Sequence, residues 1–236
     1  MIKGVFFDLD GTLLPMSENE FIKVYFKELS KKLAPLGYES QKLIDVIWQG
    51  TMKMIRNKGD KTNEKVFWEY FEECYGKDKL KDKDIIDSFY TNEFKETKKI
   101  CEDNLLAKEI VKFCKENGLI TVLSTNPIFP KPGTMTRMSY IGLEEDDFDY
   151  VTTYENSYFC KPNPNYFISL LDKFNLKPEE VIVFGNSREE DYECARKCGL
   201  KCYLVGNYLI DPQNREPVNH INMEDVIQTI NNHLLS

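Results

Sequence analysis

Residues 5–14 read VFFDLDGTLL, and no other stretch constrains this chain as much. Val5, Phe6 and Phe7 make an apolar run too short to stand as a helix, and Asp8, Asp10, Gly11 and Thr12 follow at once. The pattern predicts a buried strand that ends in a chemical site, because ligands of open α/β sheets collect outside the carboxyl ends of the strands. Alternate residues of an extended chain point the same way. Asp8 and Asp10 therefore share a face if the strand persists, and diverge if Gly11 turns the backbone early. Either geometry brings two negative charges close together, which is costly unless a cation or a shared proton offsets them. Alone, D-x-D-G also reads as a strand and an Asp-Gly turn with both acids solvated, so the rest of the chain has to decide.

The 236 residues, 42% of them hydrophobic, suffice for one large globular domain or a domain carrying a sizeable insertion. A net charge of −8 argues against wholesale binding to nucleic acid or an anionic membrane, both of which need a basic face. Seven cysteines, an odd number without a C-x-x-C pair, fit reduced thiols in a cytoplasmic protein. Cys194, Cys198 and Cys202 recur every fourth residue, but Gly199 interrupts any helix that would stack them into a thiolate site. His220 and His233 stand apart from the other motifs, so a catalytic metal is expected on oxygen ligands. No run approaches the roughly 20 apolar residues that span a bilayer, and no leader-like segment precedes Asp8.

Helical periodicity dominates the next part of the chain, over 17–36, 40–56, an aromatic-rich segment after Asn63, 82–95 and 103–117. Strand signals resume at 119–123, 150–153, 181–184 and 202–205, alternating with helical stretches at 164–174, 188–198 and 223–235. This alternation predicts an α/β fold, a Rossmann-like parallel sheet with helices on both faces. The expected division is a core of 1–14 plus 98–236 and an all-helical insertion of 15–97. Trp48, Phe67 and Trp68 are expected to pack the insertion's interior.

Three further polar clusters follow strand ends or lead into helices. LITVL ends in Ser124-Thr125-Asn126-Pro127, where a hydroxyl and an amide can donate to an oxyanion. Lys161 precedes the rigid Pro162-Asn163-Pro164, just ahead of a helix. VIVFG runs into Asn186-Ser187-Arg188-Glu189-Glu190-Asp191. In order the four clusters supply acid–acid, hydroxyl–amide, lysine and amide–acid, and a parallel sheet gathers such loops on one edge.

This order and spacing resembles the haloacid dehalogenase-like hydrolase superfamily. DLDGT at 8–12, Thr125-Asn126, Lys161 in KPNP and GNSREED at 185–191 match its four motifs, and the helical stretch 15–97 resembles its cap. The resemblance implies a phosphatase in which Asp8 attacks phosphorus and Asp10 acts as general acid and then base, protonated when substrate binds. It implies that Thr125, Asn126 and Lys161 hold the phosphoryl group, and that Mg2+ is bound by Asp8, Asp10, Asn186 and Asp191. The expected partner is a small-molecule phosphate ester, met by a monomer or homodimer. Asn186 departs from the Asp usual at its position, and an amide brings no negative charge to the metal. A phosphomutase, a metal-independent dehalogenase and a non-catalytic phospho-ligand or protein-binding module are the alternatives; Asp10 argues against the dehalogenase, and Asn186 is what favours the module. The polar loop 57–63, with Lys58 and Lys61, is a candidate specificity loop, and 127–137 is expected as a rigid loop beside the phosphoryl site.

Overall fold

The structure, a computed structural model, describes residues 1–215 and 218–235; residues 216, 217 and 236 of the expected core segment lie outside the described residues. Strands β1 (Gly4–Phe7), β2 (Ile120–Leu123), β3 (Tyr150–Val151), β4 (Val181–Gly185), β5 (Lys201–Val205) and β6 (His220–Ile221) form one parallel sheet in the order β3-β2-β1-β4-β5-β6. The fold is α/β and Rossmann-like, as expected. Central strand β1 shows why its apolar run is unbroken. Val5 and Phe7 belong to one hydrophobic cluster, with Ala107, Ile110 and Val111 of helix α5 (Leu105–Glu116), while Phe6 belongs to another with Phe167 and Leu170 of helix α7 (Asn165–Phe174). A strand covered on both faces has no side left for polar residues.

Four helices separate β1 from α5: α1 (Glu18–Leu33), α2 (Ser40–Ile55), α3 (Asn63–Tyr75) and α4 (Lys83–Thr91). Helix α1 buries Phe21, Tyr25, Leu29 and Leu33, a four-residue spacing that lines up one face. The Glu39 carboxylate accepts from the Gln41 and Lys42 N–H groups at the start of α2, and Thr62 Oγ1 from the Lys65 N–H of α3, meeting donors that a helix start otherwise leaves unpaired.

Three local expectations are corrected. The segment 127–137 is not a loop throughout, because helix α6 spans Lys131–Ser139; Pro132 lies in its first turn, where no intrahelical donor is required. The helix expected over 82–95 ends at Thr91 and gives way to a 3-10 segment, Glu93–Ile100. Strand β6 went unpredicted: His220–Ile221 stands between polar neighbours without the apolar run that marks the other strands. The stretch expected as a helix over 188–198 is a π-helical turn, Arg188–Glu193, followed by α8 (Cys194–Lys197), so Cys202 lies in β5 and does not stack on Cys194. No helix of the described residues is long and apolar enough to cross a membrane.

Candidate active site

The strand order reverses between β1 and β4, and a parallel sheet opens its ligand crevice at such a point. Phe7 is in register with Leu123 of β2 and Phe184 of β4, so Asp8, Ser124-Thr125 and Asn186 all leave the sheet at nearly one level. Two bonds fix this junction: Asp8 N donates to Phe184 O at 2.8 Å, and Ser124 N to Phe7 O at 2.7 Å.

Lys161, 153 positions from Asp8, completes the centre. Its Nζ donates to Asp8 Oδ1 at 2.8 Å and to Asp191 Oδ1 at 2.6 Å, and the side chain is 1% exposed. Thr12 Oγ1 donates to the other Asp8 oxygen at 3.1 Å. Burial works to lower the basicity of Lys161, but the Asp191 and Asp8 carboxylates outweigh it and hold the ammonium well above its usual range. Burial pushes Asp8 up to about 7, against the pull of Lys161 and with the help of the Asp191 charge.

The clamp on Lys161 comes from Asn126. Its Oδ1 accepts from Lys161 N at 3.1 Å, while Nδ2 donates to Lys161 O at 3.2 Å and to Glu190 Oε2 at 2.9 Å. Burial raises Glu190 to about 7. Thr125 is held through its carbonyl, which accepts from Thr152 Oγ1 at 2.7 Å and Tyr166 OH at 2.9 Å; its own hydroxyl makes no hydrogen bond among the described residues.

Asp191 carries three donors. Besides Lys161 on Oδ1, its Oδ2 accepts from Asn186 N at 3.1 Å and Ser187 N at 2.9 Å. It thereby shapes the turn after β4, and Gly185 is required there because a Cβ would lie 2.2 Å from the Asp191 carboxyl carbon. Asn186 Nδ2 donates to Tyr208 O at 2.7 Å, and its Oδ1 accepts no hydrogen bond among the described residues. Gly11, with φ of 78°, lets this amide approach; a Cβ there would sit 2.1 Å from Asn186 Nδ2.

One residue escaped the sequence reading. Arg137 of α6, 1% exposed at its side chain, pairs with Asp10 Oδ2, donates to Gly133 O at 3.3 Å and stacks its guanidinium 4.3 Å from the Phe129 ring centroid. The other Asp10 oxygen, Oδ1, is buried without a partner among the described residues. Reading 127–137 as a loop hid Arg137. Only once a helix is assigned does it fall on the same face as the buried Thr134 and Met138.

No group of three His, Cys, Asp or Glu side chains among the described residues makes a metal cluster. The donors that do converge are all oxygen. Asp8 and Asn186, whose Oδ1 accepts no hydrogen bond among the described residues, line one cavity, and carboxylate and amide oxygens are hard donors that fit Mg2+.

A cavity of about 800 Å3 opens from Asp8, Asp10, Thr125 and Asn186 and runs among the helices of the insertion. Trp48, Phe67 and Trp68, expected as packing, line it, whereas no residue of the loop 57–63 does. That loop braces the core instead: Asn63 N donates to Ser157 O at 2.9 Å and Asn63 Nδ2 to Pro127 O at 3.1 Å. Lys161 also stands outside the cavity wall, behind the two carboxylates.

Comparison with known proteins agrees with this fold. A phosphorylated carbohydrates phosphatase of Thermotoga maritima is 25% identical over 126 residues, 52% of this chain and 56% of that protein. The chain spans between 24% and 58% of the length of the curated relatives it matches. Among solved structures, a 2-haloacid dehalogenase from Pseudomonas syringae pv. Tomato shares the fold with a TM-score of 0.62 at 18% identity, covering 98% of this chain and 99% of that one. A HAD phosphatase from Thermococcus onnurineus does so with a TM-score of 0.59 at 18% identity, covering 97% and 98%. The family model described as haloacid dehalogenase-like hydrolase matches residues 5–205, the span that holds every strand flanking the Asp8 crevice, and the chain belongs to that family.

Proposed function

We propose that this family member is a magnesium-dependent phosphatase that hydrolyses a small-molecule phosphate monoester through an aspartyl-phosphate on Asp8. The observation that carries the reading is the Lys161 ammonium 2.8 Å from Asp8 Oδ1 where the strand order reverses. A carboxylate held at one oxygen by an ammonium and at the other by the Thr12 hydroxyl is fixed in direction, and phosphoryl transfer depends mainly on positioning and charge compensation.

In the first half-reaction an Asp8 oxygen bonds to phosphorus, the bond from phosphorus to the leaving alcohol oxygen breaks, and a proton on Asp10 passes to that alcohol. In the second, water attacks phosphorus, gives its proton to Asp10, and the bond to Asp8 breaks to release inorganic phosphate. Arg137 grips Asp10 Oδ2 and leaves Oδ1 to carry the proton. The unengaged Thr125 hydroxyl donates to the phosphoryl oxygens, while Asn126, expected to hold the phosphoryl group, and Asp191, expected as a metal ligand, have their side chains engaged by protein partners and act instead by placing Lys161. Magnesium supplies positive charge to those oxygens when bound, and the Asp8 carboxylate, the Asp10 backbone carbonyl and the Asn186 amide oxygen would hold it. The insertion 15–97 acts as a cap that keeps water from the crevice.

Turnover of p-nitrophenyl phosphate tests this. The expected result is hydrolysis that needs Mg2+, is lost in Asp8→Asn, and leaves phosphate on Asp8 in the quenched wild-type enzyme. Undiminished hydrolysis by Asp8→Asn would overturn the reading.

A further inference from the structure

We infer that the leaving group of the substrate is an elongated apolar alcohol, which makes the substrate class an amphipathic alkyl or aryl phosphate and not a polyol phosphate. The ester end of this inference rests on the phosphatase reading; the apolar end rests on the cavity alone.

At about 800 Å3 the cavity has the size of a site for a whole organic ligand, well beyond what a phosphoryl group needs. It extends from Asp8 and Asp10 between the insertion's helices, where Ile22, Phe26, Trp48, Ile55, Trp68 and Phe129 line it. The polar tips in this wall are largely occupied by one another. Tyr25 OH and Tyr90 OH share a hydrogen bond of 3.0 Å, Trp68 Nε1 donates to Tyr154 OH at 3.2 Å, and Asp87 Oδ2 accepts from Lys83 Nζ at 2.7 Å. What remains between the helices is the Thr51 hydroxyl, the Trp48 N–H and a buried Asp87 Oδ1 without a partner among the described residues, while the other polar lining residues, such as Ser17, Glu18, Ser187, Asn207 and Asp211, belong to the segments beside Asp10 and Asn186. A sugar or polyol carries a hydroxyl on nearly every carbon, and each one taken from water must find a partner or weaken binding. Between the helices, away from the Asp10 end, the wall has too few to offer. An alkyl or aryl chain needs none, and gains from each methylene removed from water.

The cationic groups are distributed in the same sense. Lys161 and Arg137 both lie at the Asp8–Asp10 end, and no lysine or arginine lines the cavity among the described residues. A second phosphate or a carboxylate on the leaving group would have no cation to meet.

Two measurements on the full chain test the inference. Calorimetric titration with ethyl-, butyl-, hexyl- and octylphosphonate, each below its micellar concentration, is expected to show affinity rising about four-fold per methylene until the cavity is full. Esters of the same alcohols should follow that order in kcat/KM and exceed glucose 6-phosphate. Thr51→Phe, which narrows the cavity, should reduce the octyl-over-ethyl preference at least about ten-fold. Equal affinities across the series, or a preference for glucose 6-phosphate, would overturn the inference. Chain-length-dependent binding of the phosphonates without hydrolysis of any ester would instead overturn the phosphatase reading and leave the apolar site standing.

Discussion

Lys161 Nζ sits 2.6 Å from Asp191 Oδ1, slightly closer than the 2.8 Å that separates it from Asp8 Oδ1. The lysine is thus shared between the proposed nucleophile and a carboxylate that itself organises the neighbouring turn. In the proposed mechanism, sharing would keep the ammonium anchored when the charge on Asp8 is consumed by bonding to phosphorus.

Removing that anchor should be costly in two ways. Asp191→Asn keeps the shape but cancels a charge in a pair whose side chains are each 1% exposed, and puts an amide nitrogen where either Lys161 or two N–H groups need an acceptor. Urea unfolding is expected to show a loss of about 3 kcal/mol, the lower end for breaking a buried pair. Activity of the folded variant should fall at least about ten-fold, through kcat more than KM.

Arg137→Ala should expose the role of the pair on Asp10. With the guanidinium gone, Asp10 loses its partner on Oδ2 in a partly buried position, and about 2–3 kcal/mol of stability should go with it, less than for a fully enclosed pair because Asp10 keeps 25% of its side chain exposed. Arg137→Lys restores charge without the planar fork, so it should recover most of the stability but little of kcat. Equal kcat in both variants and the wild type would show that Arg137 does not orient Asp10.

Asn186→Asp separates metal binding from local packing. Without Mg2+ the new carboxylate faces the Tyr208 carbonyl across the 2.7 Å now bridged by an N–H, and the melting temperature should drop by several degrees, as expected from losing about 1–2 kcal/mol. With Mg2+ the added negative charge should more than reverse the loss and lower the concentration needed for half-maximal activity. An unchanged Mg2+ requirement would remove Asn186 from the ligand set.

The metal-free protein should become less stable as pH rises from about 4 to about 7. Asp8, pushed up to about 7 from an ordinary 3.8, and Glu190, pushed up to about 7 from 4.5, hold their protons more tightly in the folded chain than in the unfolded one. The folded state then binds more protons across that window, so raising the pH favours unfolding. Chemical denaturation in chelator across this range should show the decline, and Asp8→Asn should flatten it. Added Mg2+ should oppose it, because a bound cation favours the ionised carboxylate.

How much of this was legible before folding follows from the range of each interaction. VFFDLD marked a covered strand ending in acids because strand burial and the position of Asp8 depend only on neighbours in the chain. The strand–helix alternation, the family resemblance and the strand-end placement of Thr125 and Asn186 were readable for the same reason. The sequence also led to the expectation that Lys161 holds the phosphoryl group, whereas its side chain lies behind the carboxylates and outside the cavity wall. The meeting of Arg137 with Asp10 across 127 positions depends on how α6 packs against the end of β1, and nothing local to either residue encodes it. Likewise, helical periodicity marked Phe67 and Trp68 as inward-facing, but an inward face can pack solid or border a cavity. Only the angles and spacing at which α1 to α4 cross one another chose between the two, and those are set by side chains from all four helices at once.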